Sequence, residues 1–288
     1  MFTGFTDERV DVGDAELRVR RAGDGPPLLL VHGYPETHAM WHELAPALAE
    51  EFAVVCPDLR GYGDSRGPAD PETADYSNRA MASDLTALMT ELGHDRFRLV
   101  GHDRGARVGY RLALDSPERV ERLAVLDVVP TLETFELMDY EYAERMYHWL
   151  FLAQEYPVPE TLIGAAPTFY LDHLLERWSV TTDDFEEAAT AEYRRCFSRP
   201  SVIRASCADY RAGLRVDMVH DRESRAAGDR IEAPLLVLWG TGSGTVSFDP
   251  AEIWREWATD VRGRGIDCGH FLPEEAPAKT LATLERFL

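Results

Sequence analysis

The chain has 288 residues, 45% of them hydrophobic, enough to bury one large core or a core carrying an insertion. Its formal net charge of −21 argues against nucleic acid and anionic membranes as partners, and no apolar run reaches the ~18 residues of a membrane-spanning helix. The four cysteines, Cys56, Cys196, Cys207 and Cys268, lack CxxC spacing, and residues 1–17 lack a signal peptide's basic-then-apolar order, so the chain reads as cytoplasmic with reduced thiols.

In chain order, ELRVRRAG (16–23) followed by DGPP predicts an antiparallel hairpin leading into a sheet. PPLLLVHG (26–33) and FAVVCPD (52–58) are apolar runs without strict alternation, as expected of strands covered on both faces. NRAMASDLTALMTEL (78–92) has helical spacing, with Ser77 as N-cap and Gly93 as a stop. FRLVGHD (97–103) and RLAVLDVV (122–129) are two further buried strands. Residues 131–214 hold no strand-like run and are rich in aromatics, as in YEYAERMYHWLFLAQEY, which predicts an inserted helical cap. The sheet resumes at PLLVLWG (234–240), and AEIWREWATD (251–260) follows the Asp249-Pro250 helix start. This alternation predicts an α/β fold with a parallel sheet, the core being 1–130 and 215–288 and the cap 131–214.

Where FRLVGHD meets the next helix, Gly101 and Gly105 bracket Asp103 two residues to either side. That is the spacing of a strand-to-helix nucleophile elbow with aspartate in place of serine. A carboxylate is ionised at neutral pH and needs no base to become a nucleophile. It attacks sp³ carbon and leaves an alkyl ester, so the elbow predicts displacement at carbon rather than acyl transfer. A helix N-cap aspartate is the plainer alternative. Hydrolysis of the ester needs a base and an acid to orient it. His270, in IDCGHFLPEE, is the candidate base. WGTGSGTVSF carries no carboxylate before Asp249, so Asp127, at the end of LAVLD, is assigned as the orienting acid. The His32-Gly33-Tyr34-Pro35 turn places the backbone N–H groups of Tyr34 and Arg104 as an oxyanion hole, with His32 itself structural. Arg104 and Arg107, on the first turn after the nucleophile, suit a substrate carboxylate and would make the pocket locally cationic; neutralising Asp103 or pairing with surface acids is the alternative.

GHDRGAR, HGYPETHAMWH, PDLRGYGDS, YHWLFLAQ, CADYRAG and CGHFLPEEAP together resemble the haloacetate (fluoroacetate) dehalogenases of the α/β-hydrolase superfamily, over nearly the whole chain. The resemblance implies an α/β-hydrolase fold with an eight-stranded, mostly parallel sheet, helices on both faces and a cap. It implies displacement of halide from a short 2-haloacid by Asp103, hydrolysis to the hydroxyacid, no cofactor and a homodimer. It maps carboxylate binding onto Arg104 and Arg107 and a halide pocket onto His148, Trp149 and Tyr210. Those three offer an imidazole N–H, an indole N–H and a phenol O–H, compact donors for fluoride. An aromatic face that packs the cap on the core accounts for the same pattern.

Several other readings exist. An epoxide hydrolase shares the elbow aspartate and would use two tyrosines, available among Tyr142, Tyr147, Tyr170 and Tyr210, but has no need of paired arginines. A haloalkane dehalogenase would carry tryptophan where Arg104 stands, and a serine esterase would carry serine at 103. A non-catalytic receptor would break the Asp103, His270, Asp127 set. His38 and His42, at i and i+4, lack the glutamate of a zinc motif, and GTGSGT lacks a P-loop lysine.

Overall fold

The computed structural model describes residues 1–68, 72–244 and 248–288. Thr245, Val246 and Ser247 of the loop after the PLLVLWG strand, and 69–71 in the core, lie outside the described residues. Eight strands form one sheet: β1 (Thr6–Asp11), β2 (Glu16–Ala22), β3 (Pro27–Val31), β4 (Ala53–Pro57), β5 (Phe97–His102), β6 (Val120–Leu126), β7 (Leu235–Gly240) and β8 (Val261–Ile266). Their order is β1-β2-β4-β3-β5-β6-β7-β8, and only β2 runs antiparallel to its neighbours. This is the α/β arrangement that the strand and helix alternation predicts, with the eight mostly parallel strands of the α/β-hydrolase fold that the resemblance implies.

The five strands expected from apolar runs are present, and Leu28–Val31, Leu99, Val100, Leu123–Leu126 and Leu235 contribute to one core. Each fully buried aliphatic side chain there contributes about 1.5–3 kcal/mol. The hairpin expectation needs correction. β2 pairs with β1 on one side and β4 on the other, and makes no ladder with β3. Both edges of β3 are occupied by β4 and β5, so the strand after DGPP crosses to the inside of the sheet. β8 (VRGRGI), the strand that leads to His270, carries exposed arginines and two glycines, so as an edge strand it has no apolar signature.

The helix Asp103–Asp115 lies against β5 and β6 so closely that a Cβ on Gly109 would sit 2.7 Å from Leu99. Helices from Thr131 to Ala227 intervene between β6 and β7. They include Tyr147–Leu152 and Pro200–Ala212, which carry the expected halide-binding residues. The PDLRGYGDS segment is fixed by Asp58, fully buried, which accepts from the His38 ring, the His38 N–H and the Asp64 N–H. His32 Nε2 accepts from the Leu59 N–H, and burial pushes its pKa down to about 4, so the ring is a neutral structural link.

Candidate active site

β5 ends at His102 and the helix begins at Asp103 with no intervening loop. Asp103 takes a φ of +44°, a left-handed conformation that costs about 1–3 kcal/mol in a non-glycine residue and persists only where the surroundings impose it. They do so by crowding. A Cβ on Gly105 would lie 2.4 Å from the carbonyl oxygens of Val31 and His32, and one on Gly101 would lie 2.6 Å from the Ala106 backbone. The elbow thus needs glycine on both sides, and it aims the Asp103 carboxylate out of the sheet. Asp103 Oδ1 accepts a hydrogen bond from the Tyr34 N–H at 3.0 Å. Burial works to raise the Asp103 pKa, but the charges of His270, His102 and Arg107 and the Tyr34 N–H outweigh it and hold the group below its usual value.

His270 lies in the loop after β8 and donates from Nδ1 to Asp127 Oδ2 at 2.6 Å. Asp127 follows β6 directly, with a φ of +51°. Its Oδ1 accepts from the Gly240 N–H at 3.0 Å and the Ser243 hydroxyl at 2.7 Å. The carboxylate is thereby held in one orientation, which leaves the buried Nε2 of His270 without a hydrogen-bond partner among the described residues. Burial disfavours the imidazolium, yet the hydrogen bond and charge of Asp127, then the charges of Asp103 and Glu36, raise the His270 pKa. Behind the ring, His102 Nε2 donates to the His270 carbonyl at 2.9 Å and anchors the loop.

The two arginines that follow Asp103 have different surroundings. Arg107 is buried, with hydrogen bonds to the hydroxyls of Thr131 and Thr134 at 3.2 Å each and its guanidinium 4.7 Å over the Trp149 ring. It has no carboxylate partner within ion-pair distance among the described residues. Arg104 points the other way. It forks onto Asp209, with Nε at 2.9 Å from Oδ2 and Nη2 on Oδ1, and Asp217 stands 3.9 Å away. Tyr62 also donates to Asp209 at 2.6 Å. Arg104 is outside the lining of the cavity that Arg107 faces, and only its Nη1 lacks a partner among the described residues. The reason is charge balance: a fully buried guanidinium stays protonated and needs a buried anion.

That cavity, of about 330 Å³, is lined by Asp103, Arg107, Asp127, His148 and His270 among others. Trp149 and Tyr210 lie behind its lining, fully buried, with ring centroids 4.8 Å apart. They do pack the inserted helices onto the core, as the aromatic-face reading expects. Their polar ends are a separate matter. His148 Nδ1, Trp149 Nε1 and the Tyr210 hydroxyl are all buried without a hydrogen-bond partner among the described residues. Burial lowers the His148 pKa to about 3, so the ring is neutral and keeps one N–H to donate. Leaving such groups unsatisfied costs about 1–3 kcal/mol each.

Sequence reasoning left out Asp209, although it adjoins Tyr210 in CADYRAG; a charged residue within a buried helical run was the available signal. It also left out Arg145, Arg177 and Trp178 of the cavity wall, which carry no motif, whereas Tyr142, named among the tyrosines an epoxide hydrolase would use, does line the cavity. His38 and His42 go to separate partners: His38 to Asp58, and His42 to the Ala39 carbonyl through Nδ1 and to Glu186 through Nε2, at 3.0 Å.

Comparison with known proteins agrees with this geometry. Residues 26–277 match the α/β hydrolase fold family. The chain is 43% identical to a fluoroacetate dehalogenase of Burkholderia sp, covering all of this chain and 95% of that one. It is 34% identical to a soluble epoxide hydrolase of Corynebacterium sp. (strain C12), covering all of this chain and 98% of that one. Among solved structures, an α/β hydrolase from Nostoc sp PCC 7120 superposes with a TM-score of 0.97 at 50% identity, covering 100% and 99% of the two chains. With its aspartate elbow, buried cation and full-length similarity, the chain belongs to the haloacetate dehalogenase family of the α/β-hydrolase superfamily.

Proposed function

We propose that the protein hydrolyses the carbon–halogen bond of short 2-haloacids, fluoroacetate or chloroacetate, giving glycolate and halide. The observation that carries this is Arg107, a buried guanidinium with no carboxylate partner among the described residues, facing the same cavity as the ionised Asp103. A small acid whose carboxylate neutralises Arg107 presents its α-carbon to Asp103. Arg104, held by Asp209, contributes through Nη1 and by fixing the wall behind Trp149 and Tyr210.

In this reading Asp103 attacks the α-carbon as the carbon–halogen bond breaks, and the halide leaves with the bonding pair. His148, Trp149 and Tyr210 donate to the departing halide. Esterification removes the Asp103 charge, one of the influences that raise the His270 pKa, so the imidazole becomes a readier base when the ester is formed. Water then attacks the ester carbonyl carbon and gives its proton to His270 Nε2, and the backbone N–H groups of Tyr34 and Arg104 stabilise the oxyanion. Asp127 holds the ring throughout. No metal or organic cofactor has a role in these steps.

The helices of 131–214 act as a cap over this cavity, with the core at 1–130 and 215–288. A second copy of the chain covers the exposed apolar residues Tyr156, Val158, Leu162 and Phe169 of that cap, giving a homodimer. Four buried free thiols fit a reducing, cytoplasmic setting. No helix among the described residues is long and apolar enough to cross a membrane.

The test is halide release from fluoroacetate and chloroacetate in parallel, with Asp103→Asn as control. Release that depends on Asp103 supports the reading. Epoxide hydrolysis is the second reading, favoured by the buried unpartnered Tyr210 hydroxyl and by Tyr142 in the cavity wall. Diol formation from an epoxide, with neither halide released, would decide for it.

A further inference from the structure

Two more arginines line the cavity that holds Asp103, Arg107 and His270. Arg145 ends the helix Tyr140–Arg145, and Arg177 stands in the last turn of the helix Pro167–Trp178. Both are exposed, on the outer wall, whereas Arg107 is buried.

Carboxylate partners are frequent in this chain but not universal: Arg262 and Arg264 of β8 also lack one among the described residues, and Arg145 and Arg177 differ in lining the cavity. With 51 acidic and 30 basic residues, the chain's arginines are commonly matched: Arg18, Arg60, Arg79, Arg195 and Arg225 each meet a carboxylate at 2.5 to 2.8 Å. Among the described residues Arg145 makes no ion pair or hydrogen bond. Arg177 has one long bond to the Glu144 carbonyl, at 3.3 Å, and lies 5.9 Å from the Tyr147 ring centroid. Among the described residues the acids in the cavity lining are Asp103 and Asp127, both engaged with His270 or its charge. Two guanidinium groups thus line the cavity with no carboxylate within ion-pair distance among the described residues.

The size of the cavity adds an independent point. A haloacetate has five non-hydrogen atoms and fills on the order of 100–150 Å³, taking about 30 Å³ for a water as the scale. The cavity measures about 330 Å³. A substrate that reaches from Asp103 to the outer wall is longer than haloacetate.

We propose that Arg145 and Arg177 form an outer anion subsite that receives a second carboxylate, so that 2-haloacids with a distal carboxyl group are preferred substrates. This rests on the dehalogenase reading above for its chemistry. The first carboxylate sits on Arg107, Asp103 displaces halide at C2, and ester hydrolysis releases a 2-hydroxy diacid, one halide and one proton. The alternative is that the two cations only steer any anion toward the cavity, which acts on association and is screened by salt.

The experiment measures binding apart from reaction. The Asp103→Asn protein is titrated calorimetrically with acetate, succinate, glutarate and adipate, the diacids serving as a ruler. At least one diacid is expected to bind about tenfold more tightly than acetate, and Arg145→Gln with Arg177→Gln in the same chain should remove that advantage. With Asp103 intact, the kcat/KM ratio of the matching 2-chlorodiacid to chloroacetate should fall about tenfold in the double variant. Diacids that bind no better than acetate overturn the proposal. So does an equal loss for acetate and diacid that disappears at high salt, which is steering. Tight diacid binding that needs both arginines, without release of chloride from chloroacetate or the chlorodiacid, upholds the subsite and sinks the reaction instead.

Discussion

Replacing Asp127 with asparagine separates the two halves of the reaction. In the native site Oδ1 of Asp127 accepts from the Gly240 N–H and the Ser243 hydroxyl, and Oδ2 accepts from His270. An asparagine must keep its carbonyl oxygen toward Gly240, because that backbone N–H can only donate. Its amide NH₂ then faces His270 Nδ1, which can bond to it only as an acceptor. The ring proton moves to Nε2, and the atom that should take a proton from water becomes a donor. The analogous change in a serine-protease triad costs about 10⁴-fold in kcat, or roughly 5.5 kcal/mol of barrier. In the proposed reaction, displacement at carbon needs Asp103 ionised and no proton transfer by His270, so halide release in the first turnover should survive. The assay is rapid-quench halide release together with intact-protein mass. We expect a burst of one halide per active site, steady-state turnover down about 10⁴-fold, and a trapped carboxymethyl ester on Asp103. Steady-state turnover within about tenfold of wild type would refute the role of Asp127. A burst that slows as much as turnover would refute the division of labour.

Three further outcomes are expected. Tyr210→Phe removes one donor to the leaving halide and should slow single-turnover fluoride release about tenfold, with a smaller loss for chloride, the weaker acceptor; equal losses would remove Tyr210 from the halide site. Asp209→Asn leaves the buried Arg104 with only Asp217, 3.9 Å away, and should cost about 3 kcal/mol in urea unfolding at unchanged m; a loss under ~0.5 kcal/mol would show that the pair is not needed. The pH profiles of kcat and kcat/KM should diverge. His270 must be neutral to act as a base on the ester, where the hydrogen bond and charge of Asp127 still favour its protonated form, so kcat falls as pH drops through the His270 pKa of the ester. Halide loss is irreversible and needs only Asp103 ionised, and the Asp103 pKa is depressed below 3.8, so kcat/KM should stay level down to about pH 5. A shared acid limb would place His270 in the first step.

The elbow was legible because it is local. Gly101, Asp103 and Gly105 lie within five residues, and the clashes that demand glycine come from the start of the same helix, at Ala106, and from the strand next door, at Val31 and the adjoining His32, which any parallel sheet of this order supplies. The contact between Asp127 and His270 spans 143 residues, yet it followed from strand-end logic, since both stand at carboxyl ends of parallel strands. The buried strands were equally plain, because burial on both faces requires continuous apolar runs.

What the sequence did not determine depends on which surfaces meet. Nothing local distinguishes Arg104 from Arg107, three residues apart on one helix. The helix Pro200–Ala212 brings Asp209 to Arg104 alone, and that decides which guanidinium is neutralised and which faces the cavity. The place of β2 between β1 and β4 was likewise settled by the strands that already flank β3. Arg145 and Arg177 belong to helices of no motif, and only their shared wall gives them a meaning. A side chain's type is written in the sequence, but its counter-charge is set by packing between segments a hundred residues apart, and the tertiary structure alone decides that.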